Sequence, residues 1–410
     1  MSIIIKNIEG LCMTGLEDVT RLCGKEMSRP TEIRNAWLLI ENGIIMDYGP
    51  MQTCPDTTAE TINAEGRYVM PSFCDAHTHL VYAGSREIEY IDKIRGLSYE
   101  EIAKKGGGIL NSAKKLHETS EEELIRTALS RLHEIMKLGT GAVEIKSGYG
   151  LNTEDELKML RVIKRLKDYS PMTIKATFLG AHAVPAEYKG KQSEYVDLII
   201  NEMIPQIATE ELADYIDVFC DKGFFTIEDT ERLLMAGMKY GLRPKIHANE
   251  LDFSGGIQVG VKYNALSVDH LEYTGDEEIE CLSGTETMPT LLPGAAFFLG
   301  MPYAPARKMI DAGLGLALAS DFNPGSSPSG NMQLILSMGC IKYRMVPEEA
   351  LAAVTLNGAY AMGISHELGS ISRGKIANVI ITRPMPSFAF MPYAYGSNKV
   401  ETVILNGVVI

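Results

Sequence analysis

Two histidines one residue apart close the apolar run Pro71-Ser72-Phe73-Cys74-Asp75-Ala76-His77-Thr78-His79-Leu80. In an extended strand, residues i and i+2 face the same way, so His77 and His79 can converge on one ion. Phe73 and Asp75 share that register, while Cys74, Ala76 and Thr78 face the opposite side. Imidazole suits zinc or iron, and a catalytic metal site needs further ligands plus one position left open to water. A chance pair at a strand end is the plain alternative, and a single short motif does not decide between them.

More polar residues of the same kind stand directly after apolar runs. They include Ser147-Gly148-Tyr149-Gly150, Gly180-Ala181-His182 and His247-Ala248-Asn249-Glu250. Asp269-His270-Leu271-Glu272 and Ser320-Asp321-Phe322-Asn323-Pro324-Gly325 continue the series. The chain holds eight histidines, and only His117, His133 and His366 lie away from such strand ends. Packing alone does not explain five strand-end histidines with an aspartate, because each buried imidazole needs a partner. Their convergence points to a metal site.

The elements that must position these residues alternate in type. Strands are expected at the His-x-His run and at 141–146, 172–178, 215–219, 244–247, 265–269, 287–291 and 315–319. Helical periods separate most of them. Ser120 and Glu123 read as a capping box opening a helix that ends at Gly139, and Thr153 with Glu156 reads as a second. Repeated βα units imply parallel strands, and eight of them predict a closed TIM-type (β/α)8 barrel, with the chemistry at the C-terminal strand ends. A doubly wound open sheet is the competing architecture, but no Gly-x-Gly-x-x-Gly turn or P-loop accompanies it.

Both chain ends differ from this middle. Residues 36–49 are two β-rich runs around Asn42-Gly43, a strong hairpin signal, and 377–382 and 400–410 repeat the texture with Asn406-Gly407. The expected division is therefore a small β-sandwich-like domain from residues 1–66 and 361–410, around a barrel over 67–360.

Bulk properties narrow the class of function. The 410 residues carry a formal charge of −14, which argues against a nucleic-acid partner, since phosphate binding needs a basic face. No apolar run approaches the roughly 20 residues of a membrane span. The start lacks the basic and apolar segments of a secretory signal, so a cytoplasmic location without a membrane partner is expected. Seven scattered cysteines without a C-x-x-C pair read as reduced thiols rather than a disulfide framework.

At its polar strand ends the sequence resembles the amidohydrolase superfamily, and within it the imidazolonepropionase family of histidine degradation. The resemblance runs through the barrel and both β-rich ends. It is carried by the stretches His77 to Arg86, Lys146 to Leu151, Phe178 to Pro185, His247 to Glu250 and Asp321 to Ser326. Where the family has glycine after Pro71, this chain has Ser72.

The resemblance implies one Zn2+ (or Fe3+) per subunit, held by His77, His79, His247 and Asp321. A second ion would need a bridging ligand, often a carboxylated lysine ending strand four, and Lys222 lies beyond that end. The implied reaction hydrolyses the ring amide of 4-imidazolone-5-propanoate to N-formimino-L-glutamate, by attack of a hydroxide formed on the ion at neutral pH. Glu250, His270 and Asp321 are the implied proton-handling residues. Arg86 would hold the propionate carboxylate through its planar fork, the alternative being an ordinary surface ion pair. Tyr149, His182, Glu250, Asn323, Gly325 and Ser326 would contact the ring or the opened product. The small-molecule substrate is the principal partner, and a homodimer is implied. Another cyclic amidase or a ring deaminase of the superfamily is the competing function, although a neutral base would leave Arg86 no carboxylate to bind.

Overall fold

The turn residues Asn42 and Gly43 adopt φ of 50° and 82°, the left-handed pair that a two-residue hairpin demands. They join two antiparallel strands of the computed structural model, which describes residues 2–29, 31–97 and 107–410. Among the described residues, five strands precede the barrel: β1 (Ser2–Cys12), β2 (Glu32–Glu41), β3 (Ile44–Pro50), β4 (Glu60–Asn63) and β5 (Tyr68–Pro71). Eight barrel strands follow, from β6 (Phe73–Thr78) and β7 (Thr140–Lys146) to β8 (Thr173–Ala181) and β9 (Tyr215–Cys220). The circuit goes on through β10 (Arg243–Ala248), β11 (Ser267–His270), β12 (Met288–Leu291) and β13 (Ala317–Leu318). The chain closes with β14 (Val379–Thr382), β15 (Val400–Leu405) and β16 (Val408–Val409).

The first and last strands form one eight-stranded sheet in the order β16-β15-β14-β5-β1-β2-β3, with β4 beside β1. Isoleucines of β1, alanine and leucine of β2 and valines of β5 and β14 pack a separate apolar cluster on it. The two hairpin turns meet, since Ala377 donates its N–H to the Gly43 carbonyl and Gly407 donates to that of Ala377. Only Ser72 separates β5 from β6, so this sheet is anchored directly to the strand carrying the paired histidines.

The eight expected strands are all present, paired in parallel from β6 to β13. Closure occurs past the end of β13. Thr78 bridges Phe322, the Asp321 N–H donates to the His77 carbonyl, and the His79 N–H donates to that of Phe322, each at 3.0 Å. Among the described residues, no helix is long and apolar enough to cross a membrane.

The helices that shape the mouth are α1 (Glu87–Ile94), α2 (Ile109–His117), α3 (Glu121–Lys137) and α4 (Thr153–Tyr169). Ser120 caps α3 by accepting the Glu123 N–H, but the Glu123 carboxylate turns to Arg126 instead of reaching back. Gly139, with φ of 103°, follows that helix as expected. At α4 the cap differs from expectation. Asn152, not Thr153, accepts the N–H of Asp155, and Glu156 is drawn away from the helix end into the fold. Its carboxylate takes the N–H groups of Gly148, Gly150 and Leu151. The reason is local: left-handed Gly148 and Leu151, with φ of 110° and 55°, turn these donors inward, where each needs an acceptor.

Candidate active site

The C-terminal strand ends surround a cavity of about 410 Å3. His79, Arg86, Tyr149, His182, His247, Glu250, His270, Asp321, Asn323, Gly325 and Ser326 all line it. His77 lies just beneath, fully buried. The fold thus brings together every residue singled out from the sequence.

Three buried imidazoles, those of His77, His79 and His247, present ring nitrogens that lie within 4.8 Å of one another. Asp321 Oδ1 sits 3.6 Å from the Nε2 atoms of both His77 and His79, and His79 Nε2 is 3.4 Å from His247 Nε2. For ion–nitrogen bonds of about 2.0–2.1 Å, the edge of a tetrahedron of ligands is about 3.3–3.4 Å. The cluster therefore fits one ion with little adjustment. Among the described residues, His77 Nε2 is also buried without a hydrogen-bond partner, a costly orphan that an ion would satisfy. Burial, followed by the charge of Lys146, holds His77 well below the ordinary histidine range. Burial and the neighbouring His182 do the same to His79. Neutral imidazole is the ligating form.

Carboxylates from two other barrel strands, β11 for His77 and β9 for His247, lie against these rings. His77 Nδ1 lies 2.6 Å from Asp269 Oδ2, which leaves Nε2 directed at the cluster. His247 Nδ1 lies 3.0 Å from Asp217 Oδ2, and Asp217 Oδ1 accepts the His247 backbone N–H. Both aspartates point into the barrel, where they join Glu144, Lys146 and Lys245 in a fully buried ionic layer. Lys146 donates to Glu144 at 2.7 Å and Asp217 at 2.8 Å, and lies 3.6 Å from Asp269. Lys245 donates to Glu144 and to the carbonyls of Ala76 and Ala361. Burial alone would raise the Asp217 carboxyl, but His247 and Lys146 hold it well below its usual range. Sequence reading did not single out this layer. Its signal was present as charged residues inside short apolar strands, since a buried charge requires a partner.

A second titratable group stands beside the ligand cluster. His270 Nε2 is 3.6 Å from Glu250 Oε2, and its Nδ1 is 3.7 Å from Glu272 Oε2. Burial pushes Glu250 up to about 7 despite the pull of His270. Burial opposes the charge on His270, yet Glu250 and Glu272 raise it to about 10. Glu272 is buried, and among the described residues its oxygens make no hydrogen bond beyond the 3.7 Å approach to His270; it was not assigned a role from the sequence. His270 and Asp321 have φ of 85° and 52°, so the backbone accepts left-handed strain at two of the strand ends that carry the chemistry.

The cavity walls separate into two kinds of surface. His182 stacks on His79 with ring centroids 5.1 Å apart and is fixed through Nδ1 to the Gly148 carbonyl. Burial pushes its imidazole down to about 3. Tyr149 is buried against both rings on the loop that Glu156 holds. Asn323 spends its amide on its own loop, donating to the Asp321 carbonyl and Ser326 Oγ while accepting the Gly325 and Ser326 N–H groups. Ser326 Oγ in turn donates to Asp321 Oδ2 at 3.1 Å. Arg86 is mostly buried in the wall and pairs with Glu89, not with the adjacent Glu87. Lys222 is exposed and paired with Asp252, away from the cluster. Of the three histidines set aside from the sequence, His117 approaches a site loop, its Nε2 lying 2.7 Å from the Gly150 carbonyl.

A model described as the amidohydrolase family matches residues 241–410. Proteins named imidazolonepropionase match nearly end to end. That of Christiangramia forsetii is 56% identical over 408 residues, covering 99% of this chain and 99% of its own length. That of Flavobacterium johnsoniae is 56% identical over 411 residues, covering 100% of both. A more distant one from Caldanaerobacter subterraneus is 43% identical over 383 residues, covering 93% of this chain and 92% of its own. A solved triazine hydrolase variant has a TM-score of 0.76 at 16% identity, covering 100% of this chain and 94% of its own. A zinc-bound adenosine deaminase from Xanthomonas campestris has a TM-score of 0.71 at 16% identity, with 99% and 92% covered. These two structures speak for the barrel fold alone. The full-length identities go further: the chain belongs to the imidazolonepropionase family of the amidohydrolases.

Proposed function

We infer that the protein hydrolyses the ring amide of 4-imidazolone-5-propanoate to N-formimino-L-glutamate, a step of histidine degradation. The 56% identity over 408 residues to a protein named imidazolonepropionase carries this assignment. The cavity supplies matching chemistry, since one chamber receives both the Arg86 guanidinium and the histidine–aspartate cluster. The barrel strands that surround that chamber begin at Phe73, because β5 (Tyr68–Pro71) pairs into the outer sheet; the division expected after residue 66 therefore falls at Ser72.

His77, His79, His247 and Asp321 would hold a single Zn2+ or Fe3+, with Asp269 hydrogen-bonded to the His77 ring and Asp217 taking the His247 backbone N–H and lying 3.0 Å from its Nδ1. Such an ion supplies Lewis acidity and a water activated at neutral pH. A second ion has no support at strand four, where Lys222 points to solvent.

The remaining steps belong to the chain's own side chains. Arg86 holds the propionate carboxylate, while Tyr149 and His182 confine the ring against the cluster. Glu250 accepts a proton from the attacking water, whose oxygen bonds to the ring carbonyl carbon. His270, kept protonated between Glu250 and Glu272, stabilises the negative charge developing on the carbonyl oxygen. The carbonyl carbon–nitrogen bond then breaks, and the nitrogen leaves with a proton returned from this acid–base pair.

The test is loss of ring absorbance when purified protein meets imidazolone propionate, with Arg86→Ala alongside. Losing charge-assisted hydrogen bonds worth about 1.5–3 kcal/mol should lower kcat/KM by about 10- to 150-fold, chiefly through KM. Absence of turnover by metal-replete wild type rejects the assignment.

A further inference from the structure

We propose that Glu89 is a positioning residue for substrate selection, holding the Arg86 guanidinium so that its free edge faces the cavity. The proposal rests on the imidazolone propionate reading and extends it to a residue outside the ligand and proton-transfer sets. Arg86 donates Nε–H and one Nη2–H to Glu89 Oε2, at 2.8 Å and 2.6 Å. The same carboxylate accepts the Gly108 N–H at 3.0 Å and Asn111 Nδ2–H at 2.9 Å. Glu89 on α1 is therefore anchored to the start of α2, and the guanidinium inherits that anchorage.

The opposite edge of the guanidinium carries both Nη1 hydrogens and the second hydrogen of Nη2. It lies against Gly325, where a Cβ would fall 2.0 Å from Nη1. Gly325 lines the same cavity as Arg86, so the edge packed against it borders the chamber; its lack of a side chain leaves the guanidinium room there, while Glu89 holds the other edge. The two remaining donor groups form an end-on fork matched to one carboxylate. Lys93 lines the same cavity and donates to the Phe298 carbonyl, adding a second positive charge near the site. Arg86, Lys93, Glu89 and one substrate carboxylate then sum to neutrality, which suits a single-carboxylate arm.

A free arginine side chain loses substantial rotamer freedom when it is immobilised, and preorganisation removes that cost from substrate binding. Glu89→Gln replaces an acceptor by a donor facing Asn111 and weakens the anchor. With imidazolone propionate, KM should rise about tenfold or more while kcat changes less than about twofold. Inhibition by imidazole-4-propionate should weaken by a similar factor, whereas inhibition by unsubstituted imidazole stays as in wild type. Glu89→Asp should recover part of the lost affinity, separating the anchor from a folding defect.

An unchanged or lowered KM overturns the proposal, the latter by showing that Glu89 competes with substrate. So does equal weakening of both inhibitors, which marks a general structural role. If Arg86→Ala leaves KM unaltered, the carboxylate clamp itself is wrong and Glu89 falls with it. Wild type without turnover rejects the function, a failure separable from one in which Arg86 matters and Glu89 does not.

Discussion

Glu250 and Arg86 occupy the same chamber but make opposite demands on charge. Glu250 must lose a proton to act as a base, and burial holds its carboxyl up to about 7. A raised carboxyl is protonated on the acid side, so kcat/KM is expected to fall with one proton taken up as pH drops, through a midpoint above that of an ordinary glutamate and no higher than about 7. A bound cation would pull this midpoint lower, so the limb should also shift with the metal installed. Glu250→Gln should cost about 10²–10⁴-fold in kcat and abolish that acid limb, while bound metal measured by atomic absorption stays stoichiometric. Loss of the ion with the activity would instead place Glu250 among the ligands. At Arg86 the sequence offered two readings, a carboxylate clamp and an ion pair. The structure contains the pair, and it is made with Glu89 one helical turn on. Choosing Glu89 over Glu87 required the helix to start at residue 87, a boundary that local composition does not specify.

The eight strands were legible because each is a short apolar run, most of them ending in a polar residue and separated by helical periods; strand seven, which runs into Leu291-Leu292-Pro293, is the exception. The site residues at those ends were legible for the same reason. Asp217 and Asp269 were less so, because their meaning lies across strands. Lys245 sits opposite Asp217 on β9, and His247 sits opposite Asp269 on β11, and a linear sequence does not display such register. Asp269→Ala should leave the barrel folded by circular dichroism but lower metal affinity by about 10- to 100-fold, read by competition with a chromogenic chelator. Unaltered affinity would show that the Asp269 contact does not orient His77. Glu156 illustrates another limit. Its spacing from Thr153 matched a helix cap, whereas the loop's left-handed turns demanded an acceptor and took the carboxylate for themselves. Glu156→Ala would orphan three backbone N–H groups at about 1 kcal/mol or more each. The expected result is a lower denaturant midpoint with unchanged slope, together with a raised KM because Tyr149 rides on that loop.

Across the whole molecule, the barrel is weakest where its circuit ends. β13 is two residues long, and beyond it the chain meets β6 through the Thr78–Phe322 bridge and two flanking backbone hydrogen bonds. The candidate ligands span this seam: His77 and His79 come from the β6 side, Asp321 from the segment after β13, and His247 from β10 across the barrel. An ion held by all four would tie the first strand to the last, so its binding would strengthen closure of the fold. Binding to the native state alone stabilises by RT ln(1 + [L]/Kd), about 4 kcal/mol when the free ion exceeds Kd by about 1,000-fold. Removing the ion with a chelator should therefore lower Tm by several degrees, and readdition of zinc or iron should restore it. Amide exchange should rise most at 77–80 and 319–323, and least in the outer sheet, whose own apolar cluster is independent of the site. Equal acceleration in both regions would mean that the ion stabilises the molecule globally, without stapling the seam. An unchanged Tm would mean that the four groups do not share an ion in the native state.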